Sequence, residues 1–432
     1  MPAVSLGKNF GPTDAMDELL FPLCDTGDLL WTRYPYCDEY RELLHGLGFG
    51  FEHRYLDAPD VQLPRLNNAK SQRAESGEGR LPCVADVLLR DHRKELVAWV
   101  EGGARLFPYA VTPSERRLAR QIEAHKLLPH PDAVGVVNSK LWTHKLRQEF
   151  GWLPDSRVVT GADEFRRLGR QMLRSGPLLV KEPFGVSGRG LIAIDSEQRL
   201  NHLARHLEQN VAHGASPQLL IERRISEGIP FSAQLSVAVD GQYKLHGFRS
   251  GYEVGFSFFA SGAMPADLQS SIEGSACREA FEAVAEGCAR EGYHGPVAID
   301  FLHSSNYPCP FLLEVNARVS LGRLALDLER RLARGPLILL GLSLATDRPR
   351  PYRDIQMALD RSGLLLSRRR GTVLPLAVNT LHPPSADGGQ GKLFVALLYG
   401  EQRPGDVLRQ LTITLSGLGY RQVQALPDGL TA

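Results

Sequence analysis

Residues 297–318 read VAIDFLHSSNYPCPFLLEVNAR. Two near-continuous apolar runs, 296–302 and 310–316, flank the turn-rich segment SSNYPCP (304–310). Ser, Asn and Pro supply turn geometry, so the pattern predicts an antiparallel hairpin. Side chains alternate along a strand. Ala298, Asp300 and Leu302 therefore share one face of the first strand, and Leu312, Glu314 and Asn316 share one face of the second. The midpoint of 300 and 314 falls in the middle of the turn, which sets Asp300 opposite Glu314 with Asn316 one pleat further on. Facing carboxylates among apolar residues repel unless a cation or a proton separates them. Asp, Glu and Asn are hard oxygen ligands, suited to Mg2+ that also holds phosphate groups. The plain alternative is a surface hairpin with solvated carboxylates, and the apolar runs on both strands argue for burial instead. Arg318 continues the face of Glu314 and Asn316. It is placed either to stabilise developing negative charge or to salt-bridge one of the acids.

Upstream, LLVKEPFGVSGRGLIAID (178–195) reads as strand, glycine-rich loop, strand. Gly185, Gly188 and Gly190 surround Ser187, and glycines let successive N–H groups approach an anion. The loop lies between two strands and carries no GK[ST], so it is a flap and neither a P-loop nor a dinucleotide fingerprint. Lys181, just before the flap, is placed to hold a phosphate as a point charge. The alternative is an ordinary hairpin turn beside a solvated strand edge. Further upstream, Asn138-Ser139 caps a helix running to Phe150, with Trp142, Leu146 and Phe150 on one face. Helices are expected at about 163–174 and after Ser196, and QLLIERRI (218–225) reads as a strand. Only nine of the 50 Lys and Arg residues are Lys, and Lys140, Lys145 and Lys181 fall in this one region.

Taken together, NSKLWTHKL, LVKEP with its flap, LLIERRI and D…EVNAR resemble, in order and spacing, the ATP-grasp superfamily. The resemblance covers residues 136–330 and implies the following. Lys140 and Lys181 contact the phosphates of ATP, with Lys140 in the first turn of its helix, where the dipole also favours an anion. The strand ending in Glu222, Arg223 and Ile225 binds adenine, Glu222 meeting its amino group. Asp300, Glu314 and Asn316 hold magnesium, with two ions expected. Two departures stand out. The ribose-binding glutamate of such ligases has no counterpart in place, since Glu227 comes early and Pro230 sits near the expected position. The arginine two residues before the first metal aspartate is replaced by Ala298, so Arg249 or Arg318 must serve the substrate or phosphate. The layout is most like stand-alone amide or peptide ligases of natural-product pathways. It implies an ATP-dependent carboxylate–amine ligase working through an acyl phosphate, with a small carboxylate and an amine or amino acid as co-substrates. The alternatives are a kinase on the same fold and a non-catalytic ATP-binding protein.

The remaining sequence sets the frame. The 432 residues are 43% hydrophobic and 23% charged, the mix of a folded protein with a sizeable core. Their net charge of +1 gives no overall reason to seek nucleic acid or an anionic membrane. The six cysteines form no CxxC pair, and MPAVSLGKNFGPTDAM (1–16) has neither a basic nor an apolar leader region, so a cytoplasmic protein is expected. The longest apolar run, 336–345, is too short to span a membrane. The fold class expected is α/β (α+β). Residues 1–135 form an α/β pre-ATP-grasp domain, 136–345 the ATP-grasp domain with a flap-bearing lid at about 176–225, and 346–432 a small β-rich extension. A homodimer is compatible with this layout. Residues 249–262 read as a Gly- and Phe-rich loop, 320–345 as helical, 346–370 as an Arg-rich connection and 67–80 as an exposed loop.

Overall fold

A computed structural model describes residues 12–56, 83–152, 155–185, 190–212, 218–225, 227–273, 277–304, 310–382, 389–400, 402–427 and 430. The chain forms two compact units, one of Pro129–Phe258 and Met264–Ser320, the other of Met1–Leu128, Phe259–Ala263 and Leu321–Ala432. The expected loop 67–80 lies outside the described residues.

The unit built on Pro129–Phe258 contains two antiparallel sheets. In the first, the strand order is Ser156–Val159, Leu219–Arg223, Leu178–Lys181, Leu191–Ile194. Helices Ala162–Leu173 and Glu197–Ala212 pack on each other beside it. Phe165, Leu178, Leu200 and Ile221, all fully buried, close the core between them. Burial of each such side chain stabilises by about 1.5–3 kcal/mol. Asp163 and Glu164 in the first turn of Ala162–Leu173 suit the helix dipole. The second sheet orders Phe311–Asn316, Gly295–His303, Ile229–Val237 and Tyr243–Val254. The hairpin register is the one expected: Asp300 faces Glu314 and Ala298 faces Asn316, with a bulge after Asp300. Helix Cys277–Arg290 covers this sheet with Phe281, whose ring meets Phe301 edge-on at 6.0 Å.

In the other unit, parallel strands Leu29–Thr32 and Glu52–Tyr55 are joined by helix Asp38–Gly46. Helix Pro113–Gln121 begins with a full capping box between Thr112 and Glu115. Three expectations are corrected here and in the neighbouring strand. Residues 249–262 are no loop: strand Tyr243–Val254 turns at Gly255 (φ +65°) into strand Ser257–Ala263. Residues 320–345 are helical only over Leu321–Leu332. Gly335 and Pro336 stop that helix, and Leu337–Ala345 is a strand buried on both faces, whose continuous apolar run reads alike in either conformation. The connection 346–370 contains helix Tyr352–Arg361. Strands Leu337–Ala345, Gln390–Leu398 and Val373–Pro375 form an antiparallel ladder, and helix Pro404–Gly417 packs beside it.

These units divide the chain differently from the three consecutive segments expected. Residues 321–432 gather with the N-terminal part because buried polar groups join them. Glu18 accepts from the backbone of Val378 (2.6 Å) and Asn379 (3.2 Å), and the Tyr40 hydroxyl donates to the Pro375 carbonyl at 3.1 Å.

Candidate nucleotide and metal site

Helix Lys140–Glu149 begins where Ser139 Oγ accepts from the Leu141 N–H at 3.2 Å. That cap fixes Lys140 in the first turn, next to the flap. Its backbone N–H donates to the Pro183 carbonyl (3.0 Å) and its ammonium to the Gly185 carbonyl (3.1 Å). The same ammonium pairs with Glu314 Oε2 at 2.8 Å, so the helix, the flap and the carboxylate hairpin meet at Lys140. Lys181 ends its strand as expected and is only 4% exposed. Gly190 closes the flap with φ +79°, its carbonyl accepting from the Glu182 N–H at 2.9 Å. Ser187 and Gly188 lie outside the described residues.

The hairpin carboxylates act on one another across the strand pair. Burial and the neighbouring charge of Glu314 push Asp300 up to about 8, against the opposing pull of Arg318. Burial alone would also raise Glu314, but Lys140 and then Lys181 hold it below the usual carboxylate range. Within the pair, the proton is favoured on Asp300 and the charge on Glu314. Asn316 Nδ2 donates to Asp300 Oδ2 (2.8 Å) and lies 3.4 Å from Glu314 Oε1, while its Oδ1 accepts from Arg318 at 3.0 Å. Two opposed hard carboxylates held at this mutual cost fit a divalent cation, which would relieve their repulsion. Asn316 would have to turn its amide over to offer oxygen. Among the described residues, no three His, Cys, Asp or Glu side chains are arranged to hold a metal; the set here is two carboxylates and an amide.

Strand pairing extends the polar face. Glu314, Asp300, Ser232 and Arg249 stand in one cross-strand row, so fully buried Arg249 shares the face of the carboxylates. Glu253, two pleats along from Arg249, is raised by desolvation and by Glu314. In the next row Gln234 donates to Ser232 Oγ (2.8 Å) and accepts from Ser320 Oγ (2.6 Å). The Ala317 N–H donates to Asn138 Oδ1 at 2.8 Å, tying the segment before Arg318 to the cap of the lysine helix.

Glu222 lies second from the end of its strand, but its carboxylate is engaged. One oxygen pairs with Lys181 and the other accepts from Arg147 at 3.0 Å. Burial would raise Glu222, and these two cations reverse that and hold it low. Arg223 and Ile225 follow, Arg223 exposed and Ile225 half-buried, with the Arg223 N–H donating to the Asp155 carbonyl at 3.0 Å. Sequence reasoning missed Arg147, Ser232, Gln234 and Glu253. It also set Trp142, Leu146 and Phe150 together as the packed face of the lysine helix. Leu146 is buried there, yet Phe150 is 43% exposed, and Lys140, Thr143, His144 and Arg147 are buried with Leu146. The available signal was spacing: Arg147 lies seven residues, two turns, from Lys140 and so on its side of the helix.

No family model matches the sequence, and no curated protein does so. Solved structures do. The biotin carboxylase domain of the Hydrogenobacter thermophilus 2-oxoglutarate carboxylase, in complex with MgADP, ADP and bicarbonate, superposes with a TM-score of 0.51 at 13% identity, over 96% of this chain and 89% of that one. Biotin carboxylase from Campylobacter jejuni gives 0.50 at 15% identity, over 96% and 91%. The ADP complex of an N5-carboxyaminoimidazole ribonucleotide synthetase gives 0.50 at 12% identity, over 87% and 94%. At such identities the likeness defines the fold, which is the ATP-grasp fold.

Proposed function

We propose that this chain is an ATP-dependent carboxylate–amine ligase that forms an amide or peptide bond through an acyl phosphate, releasing ADP and phosphate. One observation carries the reading: within a single compact unit, two buried lysines from different elements converge with a half-buried pair of facing carboxylates. Polyphosphate and a divalent cation are the ligands such a set suits. In this reading Lys140 and Lys181 hold phosphates, and Glu222 with the strand end at Arg223 and Ile225 receives adenine. Gly185, Ser187, Gly188 and Gly190 close over the phosphates, so that the sheet bearing them serves as a lid excluding water. Asp300, Glu314 and Asn316 would hold two magnesium ions, which supply charge neutralisation on the transferred phosphoryl group when bound. Arg318 and Arg249, on the carboxylate face, meet the negative charge that develops on the acyl phosphate. A substrate carboxylate oxygen attacks the γ-phosphorus and ADP leaves. The amine then attacks the acyl carbon, phosphate departs with that oxygen, and the nitrogen sheds a proton. The fold shared with enzymes crystallised with ADP supports the nucleotide assignment. Layout alone supports a role in cytoplasmic peptide or natural-product biosynthesis, with 1–135 as the pre-ATP-grasp part.

The test is a panel of carboxylic acids offered with ATP, Mg2+ and hydroxylamine, a small amine that captures an acyl phosphate as a hydroxamate. Acid-dependent ADP and hydroxamate are expected, with one oxygen of an ¹⁸O-labelled acid recovered in inorganic phosphate. A phosphate ester with all label kept in the organic product would make the chain a kinase. Nucleotide binding without acid-stimulated ADP would make it a binder.

A further inference from the structure

The polar contacts of Arg147 are those of a charge-balancing group. It is 1% exposed, among the most buried large side chains of the protein. One terminal nitrogen donates to Glu222 Oε2 at 3.0 Å and the other to the Leu312 carbonyl at 3.3 Å. Leu312 lies two residues before Glu314, so a single guanidinium joins the strand of Glu222 to the strand of the hairpin carboxylates. On the far oxygen of Glu222 sits Lys181, equally buried. A buried ion pair gains little over apolar packing of the same shape, so stability gives scant reason for an arginine here. Charge does. Glu222 and Lys181 alone would cancel, leaving the buried lysine no net attraction for an anion. With Arg147 the group of three carries a net charge of one positive.

We propose that Arg147 is a positioning residue of the nucleotide site: it neutralises and orients Glu222, leaving the charge of Lys181 available to the phosphates. The inference rests on the nucleotide-binding reading above. Its signature is a loss graded by phosphate charge, which a purely structural role does not produce.

The experiment is calorimetric titration of the full chain with Mg2+ and a non-hydrolysable ATP analogue, then ADP, AMP and adenosine. Arg147→Met should weaken the ATP analogue by about tenfold or more, the scale for removing one unscreened charge near another. AMP should weaken less and adenosine hardly at all. Arg147→Lys should keep the wild-type grading. In Arg147→Met/Glu222→Gln the charge balance returns, and the ratio of ATP-analogue to adenosine affinity should recover toward wild type. Where Arg147→Met does not fold, Arg147→Gln carries the same comparison. Equal losses for all four ligands, unchanged affinities, or no recovery in the double variant would each overturn the inference. A wild-type chain that binds none of the four defeats the ligase reading itself, and this inference with it.

Discussion

Single residues in the site separate by what they touch. Lys181 and Lys145 lie in the same lysine-bearing region, but Lys181 is buried against Glu222 whereas Lys145 is exposed on its helix. Lys181→Ala should abolish ATP-analogue binding at micromolar protein, and Lys145→Ala should change it by less than about twofold, as expected for a solvated lysine. Equal losses in parallel titrations would place the phosphates elsewhere. Glu314→Gln removes the charge that Lys140 neutralises and one of two opposed carboxylates. Turnover should fall by about 10² or more, the scale for one preorganised electrostatic group. Thermal unfolding should change little, because the relief of Asp300 from a neighbouring charge is offset by the loss of the partner of buried Lys140. A near-wild-type rate would remove Glu314 from the chemistry. Asp300 and Glu314 were legible in the sequence because alternation and a turn place them by local rules. Arg147 was not, since its partner Glu222 is 75 positions away and a buried, paired arginine reads like a surface one.

At the scale of elements, helix starts and tight turns were the legible part, because caps and glycines act within a few residues. Ser139 caps the helix that its position announces. Turns that depend on packing were harder. Gly371 has φ +83°, and a Cβ there would meet the Leu365 carbonyl oxygen at 1.9 Å. It brings the chain back so that the Leu366 N–H donates to the Val373 carbonyl at 2.8 Å. Gly371→Ala should destabilise this unit by about 2 kcal/mol or more, combining left-handed strain with overpacking. A chemical denaturation midpoint within error of wild type would contradict the geometry. The strand Leu337–Ala345 shows the opposite limit. With apolar residues on both faces it has no periodicity to read, and only its ladder partners make it a strand.

For the whole molecule, the decisive groups are those that hold distant segments together. Glu18 is buried, with three donors from Val378 and Asn379 on its carboxylate. Those donors favour the charged form. Burial outweighs them, and with the nearby Asp17 it pushes Glu18 up to about 8 from an ordinary 4.5. A group that binds its proton more tightly when folded contributes most below pH 4.5, and that contribution is lost as pH rises through 8. The urea midpoint of the wild type should therefore fall between pH 5 and 8 relative to Glu18→Gln, which lacks this step. Parallel pH curves for the two proteins would show that Glu18 is not the titrating group. Across the described residues, no helix is long and apolar enough to cross a membrane.

Local sequence was enough for the carboxylate hairpin and its register, the strand–flap–strand unit, and the cap of the helix at Lys140. Each depends on interactions within about twenty residues, which alternation, turn chemistry and capping encode locally. Packing across the chain was needed to show that residues 321–432 complete the N-terminal unit, that 249–262 is two strands joined by a tight turn, and that Lys181 shares Glu222 with Arg147. Those outcomes depend on which buried charges and ladder groups find partners across long stretches of chain. An unpaired buried charge is too costly to leave, and no local pattern says where its partner will come from.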